Sequence, residues 1–340
     1  MKILAIESSC DETAVSVVAD GRKVLSNVIA SQIAKHAITG GVVPEVAARE
    51  HIKAMMPVLK TAMKEAGVTK DDIDAIAVTR EPGLIGSLVV GRITASALAF
   101  AWDKPLIEVN HIHGHIYANW LETEAEPEFP IITLTVSGGH NELWLMRGHG
   151  DAELLGETVD DSAGEAFDKV ARLLGLGYPG GPIIEVRAKN GDSNAFKFPI
   201  GMKNDKNFSF SGLKTSVFYT LKDNPAILDN EKMVDDVAAS FQKSVVDALL
   251  IKLMDAVKKY PVKEVHLSGG VSANGYLRAR VAEELGKIAR CRLADGPGRD
   301  GSPCERNELC LRYPKKLSYC TDNAAMIGAA GFYLTGKKFE

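Results

Sequence analysis

Residues 2–19, KILAIESSCDETAVSVVA, place two apolar runs on either side of a polar turn. The runs at 3–6 and 14–18 contain β-branched side chains, which predicts the two strands of a hairpin. The turn between them carries hydroxyl and carboxylate side chains. Residues 131–146, IITLTVSGGHNELWLM, repeat this arrangement around a second turn, at 137–140. The repeat predicts a chain that is built from two similar halves.

Alternating helices and strands follow each hairpin. After the first, the pattern predicts a helix over Pro44–Ala66 and a buried strand over 74–79. After the second, an apolar strand at 262–267 leads into a turn and a helix. Two such halves indicate a duplicated, mixed-sheet α/β fold with a ligand cleft between the halves. The helical spacing in the first helix predicts that its apolar stripe lies in the core, namely Ile52, Met55, Met56, Leu59 and Met63.

The composition is that of a globular chain long enough for two domains. Of 340 residues, 46% are hydrophobic and 25% are charged. Lys and Arg total 40 against 44 Asp and Glu, so the net charge of -4 excludes a general polycation that binds nucleic acid. Residues 278–316 nevertheless hold 10 basic and 6 acidic residues, which indicates either a solvated face or an RNA-facing patch.

Targeting signals are not expected. The apolar run at the N-terminus is too short for a signal peptide. The most apolar helix, at 86–102, contains Arg92 and is expected to be too short to span a bilayer. We therefore expect a cytoplasmic protein that makes no membrane contact.

Four of the five cysteines lie near the C-terminus, at Cys291, Cys304, Cys310 and Cys320. An odd number in a chain of this length argues against a disulfide scaffold. A structural zinc site is the alternative, but no Cys-x-x-Cys pair is present. Free thiols are therefore expected.

The segment NHIHGH, which begins at Asn110, brings three histidines together. Asn110 follows a short apolar strand and is a good helix N-cap. On the helix, His111 and His115 share a face because they lie four residues apart, whereas His113 points away. Two imidazoles on one face can bind zinc or ferrous iron when a carboxylate completes the site. A chance histidine pair is the alternative.

Two carboxylates further along the chain each have two interpretations. Asp322 is a candidate third metal ligand, but Thr321 or Asp322 would also serve as the N-cap of the following helix. Asp168 lies on a helix that Asp161 is expected to cap. Its carboxylate can accept ribose hydroxyls or pair with Arg172 one turn later.

Glycine pairs occur at three predicted ends of strands or helices: 137–139, 179–182 and 268–270. Such turns expose backbone N–H groups that can bind phosphate oxygens, although tight turns also use glycine for steric reasons alone. Three together favour a nucleotide site. The sequence contains no Gly-x-x-x-x-Gly-Lys-Ser/Thr motif and is therefore not a P-loop enzyme.

Eight motifs, taken in order, resemble those of the tRNA N6-adenosine threonylcarbamoyltransferase family, formerly labelled O-sialoglycoprotein endopeptidase. They are ESSCDET (7–13), GGVVPE (40–45), PGLIGSL (82–88), NHIHGH (110–115), VSGGH (136–140), GEAFDK (164–169), SGGVSAN (268–274) and TDNAAM (321–326). The VVPE form of the second motif is similar to that of the bacterial and organellar branch of the family. The resemblance implies the fold of actin, sugar kinases and heat-shock ATPases. One half would span 1–125, completed by a helix within 322–340, and the other would span 126–321.

The resemblance also implies the activity and the site. The family transfers a threonylcarbamoyl group from threonylcarbamoyl-adenylate to N6 of adenosine 37 in tRNAs that read ANN codons. It implies that one divalent metal, Fe²⁺ or Zn²⁺, binds His111, His115 and Asp322 and polarises the carbamoyl carbonyl. It implies that the adenine nucleotide, with ATP or ADP as further occupants, binds Val136, Ser137, Gly138, Gly139, His140, Asp168, Gly181, Glu185 and Asn274.

Catalytic roles are assigned to three further side chains. Asp11, Glu12 and His140 are candidates for positioning the acceptor or relaying its proton, although ordinary turn carboxylates remain the alternative for the first two. The chain departs from the family pattern in two places. His113 is an additional histidine, and the stretch 295–319 is longer than usual.

The partners implied by the resemblance are tRNA, an inactive paralogue of the same fold and a P-loop ATPase, with a homodimer as the alternative. Two other functions remain open. A zinc peptidase lacks support because Ile112, rather than the glutamate of His-Glu-x-x-His, follows His111. A non-catalytic scaffold would be expected to lose the histidine pair and Asp322, which are all present.

Overall fold

The computed structural model describes residues 1–288, 290–293 and 308–335. Within these ranges the strands form two mixed sheets, of five and six strands. The strands are β1 Lys2–Glu7, β2 Glu12–Ala19, β3 Lys23–Ser31, β4 Ala75–Glu81, β5 Leu106–Asn110, β6 Ile131–Val136, β7 Asn141–Gly148, β8 Asp151–Glu157, β9 Glu264–Ser268, β10 Arg290–Leu293 and β11 Glu308–Arg312. The α-helices are α1 Ile33–Thr39, α2 Pro44–Ala66, α3 Ile85–Trp102, α4 His111–Tyr117, α5 Ala163–Leu173, α6 Gly180–Ala188, α7 Ser211–Asp223, α8 Glu231–Lys259, α9 Gly275–Ile288, α10 Leu317–Cys320 and α11 Ala324–Leu334.

The first sheet has the order β3-β2-β1-β4-β5. The predicted hairpin is confirmed, since β1 and β2 pair antiparallel, while β4 and β5 run parallel to β1. Both faces of β1 are covered. Leu4 and Ile6 pack into a core with helices α2 and α3, whereas Ile3 and Ala5 pack on the opposite face with α11. Burial on both faces explains why the sequence of β1 is a continuous run of apolar residues rather than an alternating one.

The second sheet has the order β10-β11-β9-β6-β7-β8. Its hairpin, β6 with β7, is antiparallel as predicted, and β9 lies parallel to β6 on the other side. The strand pairs of this sheet therefore repeat those of the first sheet, with β10 added at the edge. The predicted duplication of a mixed-sheet α/β unit is confirmed.

Helix α11 packs against β1, β2 and β4 of the first sheet, although it lies near the C-terminus. Glycines allow this close approach. A Cβ on Gly328 would lie 2.8 Å from a Val18 side-chain carbon, and one on Gly331 would lie 3.1 Å from the Ala77 Cβ. The boundaries 1–125 and 126–321 stay predictions.

Helix α2 has the predicted bounds, but the prediction that its whole apolar stripe is buried is wrong. Met55 and Leu59 are buried, whereas Ile52 is 66% exposed and Met56 is 48% exposed. The reason is that the sheet and α3 cover only one side of α2. Helical spacing finds the apolar residues but does not show which of them a neighbouring element covers.

Helix α3 is the one helix, among the described residues, that is long and apolar enough to cross a membrane by length and composition. Its 18 residues have a mean hydropathy of 1.5, so the expectation that it is too short is not supported. The helix packs on β4 and α2, with Ala95 and Ala99 in the core between them. Only 22% of its residues are buried, and a single helix of this kind is weak evidence for a membrane span.

The cysteines differ from expectation at one position. Cys10 and Cys320 are free thiols, as expected, but Cys310 is disulfide-bonded, so the expectation is wrong for that residue. Sequence spacing does not show which cysteines the strand pairing brings together. Cys304 and the side chain of Cys291 lie outside the described residues, as does the middle of the basic segment at 278–316, over 294–307.

Candidate metal centre and adjoining cleft

Helix α4 presents the histidine pair. Asn110 caps it as predicted, since its Oδ1 accepts hydrogen bonds from the backbone N–H groups of Ile112 (2.8 Å) and His113 (3.3 Å). The rings of His111 and His115 meet edge to face with their centroids 4.7 Å apart. The His113 ring lies on the other side, 5.9 Å from the Trp144 ring. The spacing therefore predicted the orientation of all three histidines.

Asp322 reaches this pair from the far end of the chain. Its Oδ1 lies 3.1 Å from His115 Nε2 and 3.5 Å from His111 Nε2, and the three candidate ligand atoms fall within 4.8 Å of one another. The N-cap of α11 is Asn323, whose Oδ1 accepts from the Met326 N–H (3.1 Å). The alternative that Asp322 caps this helix is therefore wrong, and its carboxylate faces the two imidazoles.

The side chains fit a divalent metal. His115 is fully buried: its Nε2 faces Asp322 Oδ1 at 3.1 Å, and its Nδ1 has no hydrogen-bond partner among the described residues. Buried polar atoms are normally paired, because leaving one unpaired costs about 1–3 kcal/mol. A cation between His111, His115 and Asp322 would bind Nε2 of both rings and the carboxylate oxygen that faces them. Two imidazole nitrogens and one carboxylate form a donor set that suits Zn²⁺ or Fe²⁺.

Electrostatic interactions among these side chains set their pKa values. Burial raises the pKa of Asp322, but His111 and His115 outweigh burial and lower that pKa to about 2. Burial likewise lowers the pKa of His111, but Asp322 and Glu7 oppose this effect and raise the pKa to about 9. The carboxylate of Asp322 is therefore held in its charged form beside the two rings.

Residues behind His111 set the orientation of its ring. Its Nδ1 lies 3.2 Å from Glu7 Oε2 and 3.1 Å from Ser9 Oγ, so Nε2 faces Asp322. Glu7 is fully buried and also accepts a hydrogen bond from the Thr79 hydroxyl. Such partners fix the tautomer and orientation of a metal-binding histidine. Glu7 was not among the predicted site residues. A glutamate at the end of a buried apolar strand nevertheless indicates a residue with a functional or structural role.

A cavity of about 700 Å³ adjoins the centre, and both halves line it. Eight of the candidate site residues line this cavity: Asp11, His111, Ser137, Gly138, Gly139, His140, Asp168 and Asp322. The lining also includes residues that the sequence analysis did not place there, among them Lys169, Arg172 and Tyr178. The tertiary structure therefore brings two of the three candidate metal ligands and five of the nine predicted nucleotide residues to one cleft.

The turn at 137–140 forms one wall of the cleft. Its geometry is fixed because the Ser137 N–H donates to the His140 carbonyl (2.8 Å) and the His140 N–H donates to Ser137 Oγ (3.1 Å). A Cβ on Gly138 or Gly139 would meet no atom within 4 Å. The space beside these glycines is open, which is what backbone N–H groups need to approach a phosphate.

The other glycine turns differ from this one. Gly269 has φ +82°, and a Cβ there would lie 2.4 Å from the Val136 carbonyl oxygen. A steric requirement therefore accounts for that glycine. Gly180 and Gly181 begin helix α6, and a Cβ on Gly181 would meet nothing within 4 Å.

Asp168 lines the cleft from helix α5. Its Oδ1 accepts a hydrogen bond from the Gly180 N–H (2.7 Å), and burial raises the pKa of its carboxyl. The prediction that Asp161 caps this helix is wrong. Ser162 is the cap, with its Oγ accepting from the Glu165 N–H (3.0 Å), because the Asp161 side chain is engaged by two lysines.

Besides His115, five candidate site residues do not line this cavity. Asn274 donates to Gln242 Oε1 (2.8 Å) and accepts from the Leu277 N–H (2.9 Å), and Glu185 accepts from the neighbouring Gly275 N–H (2.9 Å). The roles of these five residues stay predictions: Glu12, Val136, Gly181, Glu185 and Asn274.

Glu12 lies beside Asp11 at the start of β2. Its Oε1 accepts a hydrogen bond from Ser31 Oγ (3.1 Å). Burial and the neighbouring Asp11 raise the pKa of Glu12 to about 9. The carboxyl of Glu12 is therefore protonated near neutral pH.

Comparison with known proteins identifies the family. The family model described as tRNA N6-adenosine threonylcarbamoyltransferase matches residues 23–329. The chain belongs to this family. A curated threonylcarbamoyltransferase from Symbiobacterium thermophilum is 51% identical over 334 residues, covering 98% of this chain and 91% of the relative. One from Listeria welshimeri is 50% identical over 340 residues, covering 99% and 92% of the two chains.

Solved structures at low identity show the fold of this threonylcarbamoyltransferase family member. HypF from T. kodakarensis superposes with a TM-score of 0.60 at 16% identity, over 98% of this chain and 48% of HypF. The activator of the 2-hydroxyisocaproyl-CoA dehydratase from Clostridium difficile, solved with bound ADPNP, gives 0.53 at 15% identity, over 99% and 95%. The predicted actin-like, sugar-kinase-like fold is confirmed.

Proposed function

We propose that the protein transfers the threonylcarbamoyl group from threonylcarbamoyl-adenylate to N6 of adenosine 37 in tRNAs that read ANN codons. The observation that carries this proposal is the convergence of His111, His115 and Asp322 beside a cleft that His111 and Asp322 line. The family match and relatives that are about half identical support this transferase over a zinc peptidase or a scaffold paralogue.

The centre would hold one divalent metal, Fe²⁺ or Zn²⁺, through His111, His115 and Asp322. When bound, such an ion supplies a Lewis acid for the carbamoyl carbonyl oxygen. The chain provides the orientation of the ligands. Glu7 and Ser9 fix the His111 ring from behind, and Asn323 caps α11 so that the Asp322 side chain is left to face the cleft.

The adenylate would occupy the cleft beside this centre. The N–H groups of Gly138 and Gly139 would hold its phosphate, and Asp168 would accept its ribose hydroxyls; all three residues line the cleft. ATP or ADP would bind at the same residues. The open space beside both glycines supports this assignment.

The chemistry joins the N6 nitrogen of adenosine to the carbamoyl carbon. The bond between that carbon and the phosphate oxygen breaks, AMP leaves, and N6 loses a proton. Asp11 and His140 line the cleft and are the residues proposed to accept this proton or to position the amine, with Glu12 beside them. A base must lie within hydrogen-bond reach of the proton that it removes, and these side chains border the space where the acceptor must enter.

The direct test is to incubate the purified protein with threonylcarbamoyl-adenylate and unmodified tRNA. Nucleoside mass spectrometry then measures N6-threonylcarbamoyladenosine. The proposal expects product that depends on both substrates. Absence of product with every proposed protein partner added, or cleavage of protein substrates instead, would overturn it.

A substitution at Gly139 tests the nucleotide pocket. Gly139→Val places a side chain in open space that borders the cleft, so we expect the protein to fold normally but to bind the adenylate more weakly. Losing a phosphate contact of about 1.5–3 kcal/mol corresponds to a KM roughly 10- to 100-fold higher. Gly148→Val is the matched control, because a Cβ there also meets nothing within 4 Å and Gly148 does not line the cleft. An unchanged KM in Gly139→Val would contradict the assignment.

We propose that protein partners bind outside the cleft, whereas the reacting adenosine of the tRNA enters it. An apolar face on helices α2 and α3 supports a protein partner: its exposed side chains are Val46, Ile52, Met56, Ile85, Val89, Ile93 and Phe100. Exposed apolar patches of this kind mark interaction surfaces. The partner would be an inactive paralogue of the same fold, aided by a P-loop ATPase, or a second copy of this chain. We also propose that the protein is cytoplasmic.

Sedimentation analysis of the protein alone and with the paralogue separates these partners. We expect Phe100→Glu to abolish the complex that the wild type forms, because a charge buried in an apolar interface is left without water. Lys258→Glu, at an exposed position of α8, which does not contribute to the apolar face, is the control and should leave association unchanged. A complex that survives Phe100→Glu would show that another surface is used.

A further inference from the structure

One side chain of helix α2, that of His51, forms hydrogen bonds with the turn that carries Asp11. His51 is fully buried, its Nε2 lies 2.9 Å from the Cys10 carbonyl oxygen, and its Nδ1 lies 2.8 Å from Thr13 Oγ1. The imidazole thus joins two residues on either side of Asp11 and Glu12. None of the roles described above uses it.

The hydrogen-bond pattern defines the state of the ring. A carbonyl oxygen can only accept, so Nε2 carries the hydrogen and donates to the Cys10 carbonyl. Burial lowers the pKa of His51, which favours the neutral ring, and Nδ1 then accepts from the Thr13 hydroxyl. Both nitrogens are therefore paired, and the ring is locked in one tautomer and one orientation.

The Cys10 carbonyl is held from two helices at once. Ser87, near the start of α3, donates its hydroxyl to the same oxygen (3.2 Å), and its own carbonyl accepts from Ser8 Oγ (2.9 Å). The next turn residue, Ser9, contacts His111 through its hydroxyl (3.1 Å). The backbone that His51 fixes is therefore continuous with the residues that orient the metal ligand.

Packing alone does not account for a histidine at this position. The other buried residues of α2 are all apolar: Ala47, Met55, Val58, Leu59 and Ala62. His51 lies in the same row as Ala47 and Met55, one helical turn from each, so an apolar residue would continue the core at no cost in polar burial. A histidine is needed there only because the polar turn meets the helix at that point.

We propose that His51 is a positioning residue: by donating to the Cys10 carbonyl it fixes the turn that presents Asp11 to the cleft. This inference rests on the proposed function, in which Asp11 faces the reacting amine. The residue touches neither substrate nor metal ligands and acts through the backbone of the turn. A displacement of about 1 Å at reacting groups can cost up to about 100-fold in rate.

Two amide substitutions separate the two nitrogens of the ring. The longer glutamine side chain can place its N–H₂ group near the position of Nε2 and keep the donor to Cys10. Asparagine is shorter, reaches only the region of Nδ1 and loses that donor. We expect kcat for tRNA modification to fall at least about 10-fold in His51→Asn and to stay within about threefold in His51→Gln. The KM for the adenylate and the metal content should change little in either variant.

Hydrogen–deuterium exchange of the holoenzyme supplies a readout that does not need activity. Peptides that span residues 8–13 should exchange faster in His51→Asn than in the wild type and His51→Gln, while peptides from α5 and α8 should not change. Equal kcat values and equal exchange in both variants would overturn the inference. The inference would also be overturned if the decrease in kcat only paralleled a decrease in melting temperature. If the wild type makes no product, the proposed function fails, and the exchange data alone decide whether His51 fixes the turn.

Discussion

His111→Ala is expected to reduce formation of N6-threonylcarbamoyladenosine by at least about 10²–10³-fold, the loss seen when one group that stabilises developing charge is removed. The reason is geometric. Nε2 of His111 lies 3.5 Å from Asp322 Oδ1 and completes a cluster of three ligand atoms within 4.8 Å. Without it, a divalent ion retains two protein ligands instead of three. The rate is measured by nucleoside mass spectrometry, and bound metal is measured by elemental mass spectrometry.

His113→Ala is the matched control for this prediction. The two residues share helix α4, but the His113 ring points away from the centre and lies 5.9 Å from the Trp144 ring. We expect this variant to keep its metal and most of its activity. Circular dichroism and a thermal melt establish that both variants fold. Full activity in a folded His111→Ala protein without metal would refute the proposed centre.

Glu264→Gln is expected to destabilise the protein by about 3 kcal/mol at neutral pH, within the range for breaking a buried charge pair. The carboxylate is buried in the second sheet. It accepts hydrogen bonds from Arg312 Nε (3.0 Å), His266 Nε2 (2.8 Å) and the Glu128 N–H (2.9 Å). Burial raises the pKa of Glu264, but His266 and Arg312 outweigh burial and lower that pKa to about 2. A change in pKa from the ordinary value of 4.5 to about 2 corresponds to about 3 kcal/mol, in agreement with the first figure.

The same pKa shift gives the pH dependence of this effect. A carboxyl whose pKa is lower in the folded state stabilises that state above pH 4.5 and loses the contribution as pH falls toward 2. The difference in unfolding free energy between wild type and Glu264→Gln should therefore shrink over that range. Urea unfolding at several pH values measures it. The control is Glu128→Gln, which breaks only an exposed ion pair with Lys263 and should cost less than about 1 kcal/mol. A constant difference down to pH 2 would contradict the assigned role.

Local sequence patterns predicted much of the fold. The hairpins β1–β2 and β6–β7 were predicted from apolar runs around polar turns, and α2 from its helical spacing. Each of these signals depends on residues that are near one another in the chain. The N-caps show the limit of such reasoning, because two adjacent residues compete for one position. Ser162 rather than Asp161 caps α5, and Asn323 rather than Asp322 caps α11.

Long-range packing decided which of the candidate site residues meet. Of the predicted nucleotide residues, Ser137, Gly138 and Gly139 line the cleft, but Asn274 and Glu185 form hydrogen bonds elsewhere. The helical spacing likewise did not predict which apolar side chains of α2 are exposed to solvent. Ile52 is exposed, whereas Met55 on the same helix is buried. Whether an apolar side chain is covered depends on elements distant in sequence.

The sequence by itself determined that His111 and His115 share a face of one helix and that Asn110 starts it, because helical geometry fixes the direction of residues four apart. It also determined the two halves through their repeated hairpins. Only the tertiary structure brought Asp322 to the histidines, placed Glu7 behind His111 and set His51 under the turn of Asp11. These contacts join residues that are distant in the chain, and they exist only once the halves close around the cleft and α11 packs on the first sheet.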